Sequence, residues 1–142
     1  MRRALVAVGA AATGLALVSG CGAGDYCAAV EADLDTLSGF GAERTTEAYT
    51  TYADTLRTIG AVAPDDVADD YADLESVTRA VLDAQSAVGV PLEQMTDQAA
   101  VAPLTSEQLA DLDAAYQAFN DTADQREAIV ASVVDECGVT LS

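Results

Sequence analysis

Lysine, histidine and tryptophan are absent from this 142-residue chain, and each absence removes a class of chemistry. Without histidine there is no Ser–His pair and no imidazole zinc site. Without lysine there is no Ser–Lys dyad and no Schiff base. Paired carboxylates hydrolyse glycosides in some proteins. Carbohydrate clefts usually offer aromatic platforms, however, and here there are two phenylalanines and no tryptophan. The residue inventory predicts a protein that is not an enzyme, needs no cofactor and carries no resident metal.

Positive charge is scarce: six basic residues, all arginine, face 24 Asp and Glu. Arg2 and Arg3 belong to an N-terminal segment that reads as a targeting signal. After this basic start, residues 4–18 form an apolar run, shorter than the ~20 residues a spanning helix needs. Val18-Ser19-Gly20-Cys21 follows. This stretch resembles the lipobox of bacterial lipoproteins, an aliphatic residue and two small ones before an invariant cysteine. The resemblance implies a diacylglyceryl group on the Cys21 thiol and cleavage before it, with small residues letting the peptidase approach the backbone. An ordinary cleaved signal peptide and an uncut N-terminal anchor are the alternatives.

Three segments follow from this reading: a lipoprotein signal peptide over 1–20, a lipidated cysteine and short tether over 21–24, and a helical domain over 25–142. Two acyl chains hold a protein stably at a bilayer where one does not. Gly22-Ala23-Gly24 reaches only about 10 Å, so the domain would sit close to the extracellular face of the cell membrane.

The segment after Cys21 keeps Arg44, Arg57, Arg79 and Arg126 against 24 acids, a formal charge of −20. Nucleic acid is excluded as a partner, because phosphate contact needs a basic surface. Anionic headgroups would repel the domain, so the N-terminal lipid is what holds it at the membrane.

With Cys21 given to lipid, Cys27 and Cys137 remain. An even number in an oxidising compartment predicts a disulfide, closing a loop of about 110 residues; two free thiols are the alternative. Two distant cysteines without histidine lack zinc-ligand spacing.

Four amphipathic helices are predicted. The first starts at Asp25, an N-cap, with Cys27, Val30, Leu34 and Leu37 on one stripe; Ser38-Gly39-Phe40-Gly41 stops it. The second runs over 42–59, with Tyr49, Tyr52, Leu56 and Ile59 inward and Gly60 as its end. Pro64 opens the third, with Asp65 and Asp66 in its first turn. Its buried side is Val67, Tyr71, Leu74, Val77, Val81 and Val88; Gly89 and Pro91 end it. Residues 89–104 carry two prolines and no period, with room for a helical turn over 92–99. Thr105-Ser106-Glu107-Gln108 is a capping box. It opens a long fourth helix with a seam of Leu109, Leu112, Tyr116, Phe119, Ala123, Arg126, Val130, Val133 and Cys137, a bend near Asn120-Asp121-Thr122, and Gly138 as stop.

These helices predict an all-α, up-down-up-down four-helix bundle closed by one disulfide. In that topology Cys27 and Cys137 share the end nearest the membrane. The lipobox, Asp25-Tyr26-Cys27, Ala63-Pro64-Asp65 and Glu136-Cys137-Gly138 together resemble a largely uncharacterised family of small actinobacterial lipoproteins. That resemblance implies export, a helical fold and a disulfide, and no activity.

Four features are candidates for a site. Asp65, Asp66, Asp69, Asp70 and Asp73 form rows on one helix face, where a divalent cation would relieve repulsion; calcium prefers a shaped loop to a bare helix, and a solvated acidic face is the plainer reading. Arg126 lies on the fourth seam, either as a buried cation facing an acid or with its stem packed and its head in water. Tyr49, Tyr52, Tyr71 and Tyr116 would line a small-molecule pocket or simply fill the core. Residues 89–104, with Leu92 and Met95 exposed, form either a partner-binding loop or a plain connector. The function expected is a membrane-anchored, non-enzymatic lipoprotein acting through contacts with another envelope protein. The alternative is a carrier of a small ligand or divalent cation.

Overall fold

The computed structural model describes residues 23–141. The predicted signal peptide and Cys21 lie outside them. The described residues are all-helical, with no strand among them. No helix among them is long and apolar enough to cross a membrane.

The first predicted helix is two: α1 (Ala23–Ala32) and α2 (Leu34–Gly39). They part at Asp33, whose φ of −114° and ψ of 19° leave the helical region, a conformation that short polar side chains tolerate. Tyr26, absent from the predicted stripe, is fully buried beside Val30, while Leu34 and Leu37 are half-buried.

α3 (Thr46–Gly60) starts four residues later than predicted. Gly41 turns the chain with a φ of 97°, and the Thr45 hydroxyl then accepts the Ala48 amide at 3.1 Å as the N-cap. Gly60 remains helical, and its lack of a side chain serves packing: a Cβ there would stand 2.9 Å from Tyr71 Cβ. α4 (Asp65–Val88) begins after Pro64 as predicted and ends at Gly89, which adopts the left-handed region at φ 70°. Thr78 and Gln85 are buried on its inner side, whereas Val77 and Val88 are half-buried.

Residues 89–104 fold into a 3-10 turn (Leu92–Gln94) and a four-residue helix, α5 (Gln98–Val101). The capping box forms with both its bonds: Thr105 Oγ1 accepts the Gln108 amide at 3.2 Å, and Gln108 Oε1 accepts the Thr105 amide at 2.9 Å. The predicted long helix is broken into α6 (Ser106–Asn120) and α7 (Ala123–Cys137). The buried Thr122 donates its hydroxyl to the Phe119 carbonyl at 2.6 Å across this break. Leu112, Phe119, Thr122, Ile129 and Val133 face the core, and the predicted seam residues Leu109 and Val130 are 44% and 40% exposed.

α3 packs on α4, α4 on α6 and α7, α1 on α7 and α3, and α2 on α3. Near the chain ends the core holds a buried polar relay. Tyr26 and Tyr71 hydroxyls meet at 3.0 Å, and Tyr26 reaches Ser132 Oγ at 3.2 Å. Burial and this bond push the Tyr71 hydroxyl far above the ordinary tyrosine range. Cys27 and Cys137 lie beside the relay with their sulfurs at bonding distance, 2.05 Å, and their Cα atoms 5.3 Å apart.

Two outcomes follow for stability. Replacing both Cys27 and Cys137 by Ser should cost about 2–5 kcal/mol, because a loop of 110 residues is released; thermal unfolding should show a Tm lower by ~10 °C or more. Gly60→Ala should also destabilise, by ~1–3 kcal/mol in urea titrations, because the clash with Tyr71 outweighs the roughly 1 kcal/mol of helix propensity gained.

Candidate functional site

Phe40 sits between Gly39 and Gly41 and turns inward from the end of α2. Its ring stacks on Tyr52 at 3.6 Å between centroids and meets Tyr49 and Phe119 at 5.1 and 5.7 Å. This aromatic cluster joins α3 to α6 and forms the floor of a cavity of about 680 Å³. The walls come from four places in the chain: the α2–α3 connection with Arg44, Tyr49 on α3, Leu92 to Thr96 of the long connection, and Tyr116, Asn120 and Arg126 around the α6–α7 break.

The long connection is a wall of this cavity. Leu92, expected to be exposed, is buried in the core, and Met95 is half-buried against the cavity. Glu93 pins the segment: its Oε2 accepts the Thr46 amide at 3.0 Å and the Thr46 hydroxyl at 3.2 Å. A carboxylate at a helix N-terminus meets free amides and a favourable dipole. Hydrogen bonds from its own amide and from Thr46 hold the Glu93 carboxyl below the usual glutamate range.

Arg126 bends over the helix break. Its Nε donates to the Thr122 carbonyl and its Nη2 to the Asn120 carbonyl, both at 3.2 Å. Its guanidinium lies 5.4 Å from the centre of the Phe119 ring, within cation–π range. It is half-buried and, among the described residues, pairs with no carboxylate; neither does Arg44, which is exposed. Arg57 and Arg79 do pair: both contact Asp54 at 2.9 Å, and Arg79 holds Glu75 at 2.7 Å.

Of the four candidate tyrosines, the fold brings Tyr49 and Tyr116 to the cavity. Tyr52 lines a smaller neighbouring groove, also bordered by Arg126, and Tyr71 is fully buried elsewhere. Burial raises the Tyr49 hydroxyl above the ordinary tyrosine value, and the charges of Arg44 and Arg126 partly oppose this. Burial likewise raises Tyr116, against a hydrogen bond from Gln85. Tyr52 is pushed up by burial to about 12. All three are neutral donors at pH 7. Behind Tyr116, Gln85 gives its Nε2 to the Tyr116 hydroxyl, and its buried Oε1 has no partner among the described residues. Turning the amide over swaps the ends but still leaves one idle.

Asp65, Asp66, Asp69, Asp70 and Asp73 stand apart from the cavity on the first turns of α4. Four are exposed, and Asp70 is half-buried. Burial, then Asp73 and Asp69, raise the Asp70 carboxyl. Among the described residues no three His, Cys, Asp or Glu side chains are arranged to hold a metal ion. Sequence reasoning missed Phe40, taken only as part of a helix stop, along with Arg44, Glu93 and Gln85. The available signals were an aromatic between two glycines and the scarcity of arginine.

The Glu93 latch predicts an acid transition. A carboxyl lowered in the folded state contributes its stabilisation above the unfolded value, and the contribution is lost as pH falls through the folded value. The Thr46 amide shift, followed by NMR, should titrate with a midpoint below that of a free glutamate. In Glu93→Gln that titration should vanish and Thr46 should exchange faster.

Comparison of the chain with protein-family models, with curated proteins and with solved structures found no match.

Proposed function

We propose that this chain is an exported, lipid-anchored, non-enzymatic binding protein of the cell envelope, and that it engages its ligand or partner through the Arg44–Arg126 cavity. The observation that carries the reading is the placement of charge. In a domain with 24 acids, the two arginines without a carboxylate partner among the described residues line the same cavity. The cavity offers guanidinium groups, phenols and aromatic faces, together with a carboxylate already engaged by Thr46. Those are binding groups rather than a nucleophile with its base.

The arrangement proposed is the up-down-up-down bundle, with α1 and α2 as one rod, α3 and α4 as the next two, and α6 with α7 as the fourth. Contacts of α1 with α3 and α7, and of α4 with α3, α6 and α7, support a ring of four antiparallel neighbours. In that ring the paired cysteines mark the pole beside the lipidated Cys21. The cavity, built on the connections after α2 and α4, lies towards the opposite pole, open to the extracellular side.

Two measurements in intact cells test the reading. Labelled palmitate should enter the wild-type protein and fail to enter Cys21→Ser; equal labelling of both overturns the anchor. A photo-crosslinking side chain in place of the exposed Thr96, on the cavity rim, should yield adducts that the same probe in place of Ser76 does not. Identical patterns at the two positions overturn the cavity as the contact site.

A further inference from the structure

Arg44 and Arg126 reach one cavity from different directions, the first from the α2–α3 connection and the second from the start of α7. Glu93, the carboxylate on that wall, spends its Oε2 on the Thr46 amide and hydroxyl. Those donors are neutral, so the Glu93 carboxylate keeps its charge, and the lining of two arginines and one carboxylate is left one unit positive in a domain otherwise covered by acids. Phe40, Tyr49, Phe119 and the half-buried Met95 line the same cavity.

We infer that this cavity binds a small carboxylate with an aromatic body, its oxyanion held by Arg44 and Arg126 and its ring against Phe40, Tyr49, Phe119 and Met95. The inference rests on the cavity being the contact site and adds the chemical class of the ligand. Guanidinium forks match the planar carboxylate geometry, and such charge-assisted bonds are the strong ones. The Tyr49 and Tyr116 hydroxyls are neutral and able to donate to the same oxyanion. Aromatic rings and a methionine sulfur favour a flat, polarisable body over an aliphatic one. The volume of about 680 Å³ lies within the range of small-molecule sites.

Charge narrows the class further. A polyanion would feel the whole domain, whose net charge is strongly negative. Screening over ~8 Å at physiological ionic strength lets a small monoanion respond mainly to the two arginines it touches. Nucleic acid and polyphosphate are thereby disfavoured, and a single carboxylate is suited.

The test uses 4-fluorophenylacetate as probe, observed by its fluorine resonance as the full-length protein is added. Saturable broadening is expected, with an affinity of ~0.1–5 mM for so small a ligand. The neutral 4-fluorophenethyl alcohol and the ringless fluoroacetate should each bind at least ~10-fold more weakly. Arg44→Gln should weaken the probe by ~10-fold or more without changing Tm, since Arg44 is exposed on a connection. Arg126→Lys should weaken it too, because it keeps the charge and loses the fork. No saturable binding by the wild type, equal binding of the alcohol, or wild-type affinity in Arg44→Gln each overturns the inference. Thr96 crosslinks that persist while the probe fails to bind would reject the ligand class and leave the contact site standing; loss of both rejects both.

Discussion

The meeting of the first and last helices at Cys27 and Cys137 is the constraint on which the other contacts depend. α1 is only ten residues long, and a helix of that length is marginal in water without tertiary support. It buries Tyr26 and Val30 completely, and it can do so only where α7 and α3 already provide the other walls. The sulfur pair sets the end of α7 against the start of α1, and the Tyr71–Tyr26–Ser132 relay then ties both to α4. Every hydroxyl in that relay has a partner, so a fully buried tyrosine pair carries no desolvation penalty from an unmade bond.

Charge is distributed on the opposite logic. Among the described residues no carboxylate is fully buried, and most of the acids are exposed to water and salt, which screen them. Two arginines are drawn into the network of Asp54 and Glu75: the Arg57–Asp54 pair is exposed and contributes little to stability, while Arg79 and Glu75 are half-buried. The other two stay out of any such network. Arg126 instead donates to the Asn120 carbonyl at the C-terminus of α6, where the dipole favours a cation, and to the Thr122 carbonyl, which also accepts the Arg126 amide as the first bond of α7. Its guanidinium is thus oriented by the fold itself, held by two carbonyls over the Phe119 ring.

Much of this architecture is legible in the residues themselves. Pro64, the Thr105–Gln108 capping box, Gly89 and Gly138 mark helix ends with local chemistry, and the structure has ends at those places. The inward stripe of α3 needs only the 3.6 period, and Tyr49, Tyr52, Leu56 and Ile59 are all buried. What escaped the sequence is which of two neighbouring positions packing buries. The stripe through Cys27 and Val30 left out Tyr26, which is fully buried one turn before Val30, and Asp33 parts α1 from α2. The bend expected near Asn120-Asp121-Thr122 is a full break, and beyond it Ile129 is buried while Val130 is exposed. Ile129 and Val130 lie three and four residues from Arg126, and a 3.6 period admits both. The cavity was illegible for another reason. Its walls come from four segments far apart in sequence, and only their packing brings Arg44 to Arg126.

That same interruption explains why a cavity exists here at all. An unbroken helix from Ser106 to Cys137 would keep its carbonyls bonded internally and would present Arg126 along a continuous seam. At the break the Arg126 side chain reaches the Asn120 and Thr122 carbonyls, which sets its guanidinium over Phe119, and Phe40 packs against Phe119 from the end of α2. Phe40 can do so because glycines flank it and Gly41 takes a positive φ that a side chain would resist. The cavity is then walled by the Leu92–Gln94 turn, which Glu93 fixes to the start of α3. Two departures from regular helix, one at Gly41 and one at Asp121, thus build the site together. Arg44 stands three residues after Gly41 and Arg126 five after Asp121, so each departure places one of the cavity's two arginines.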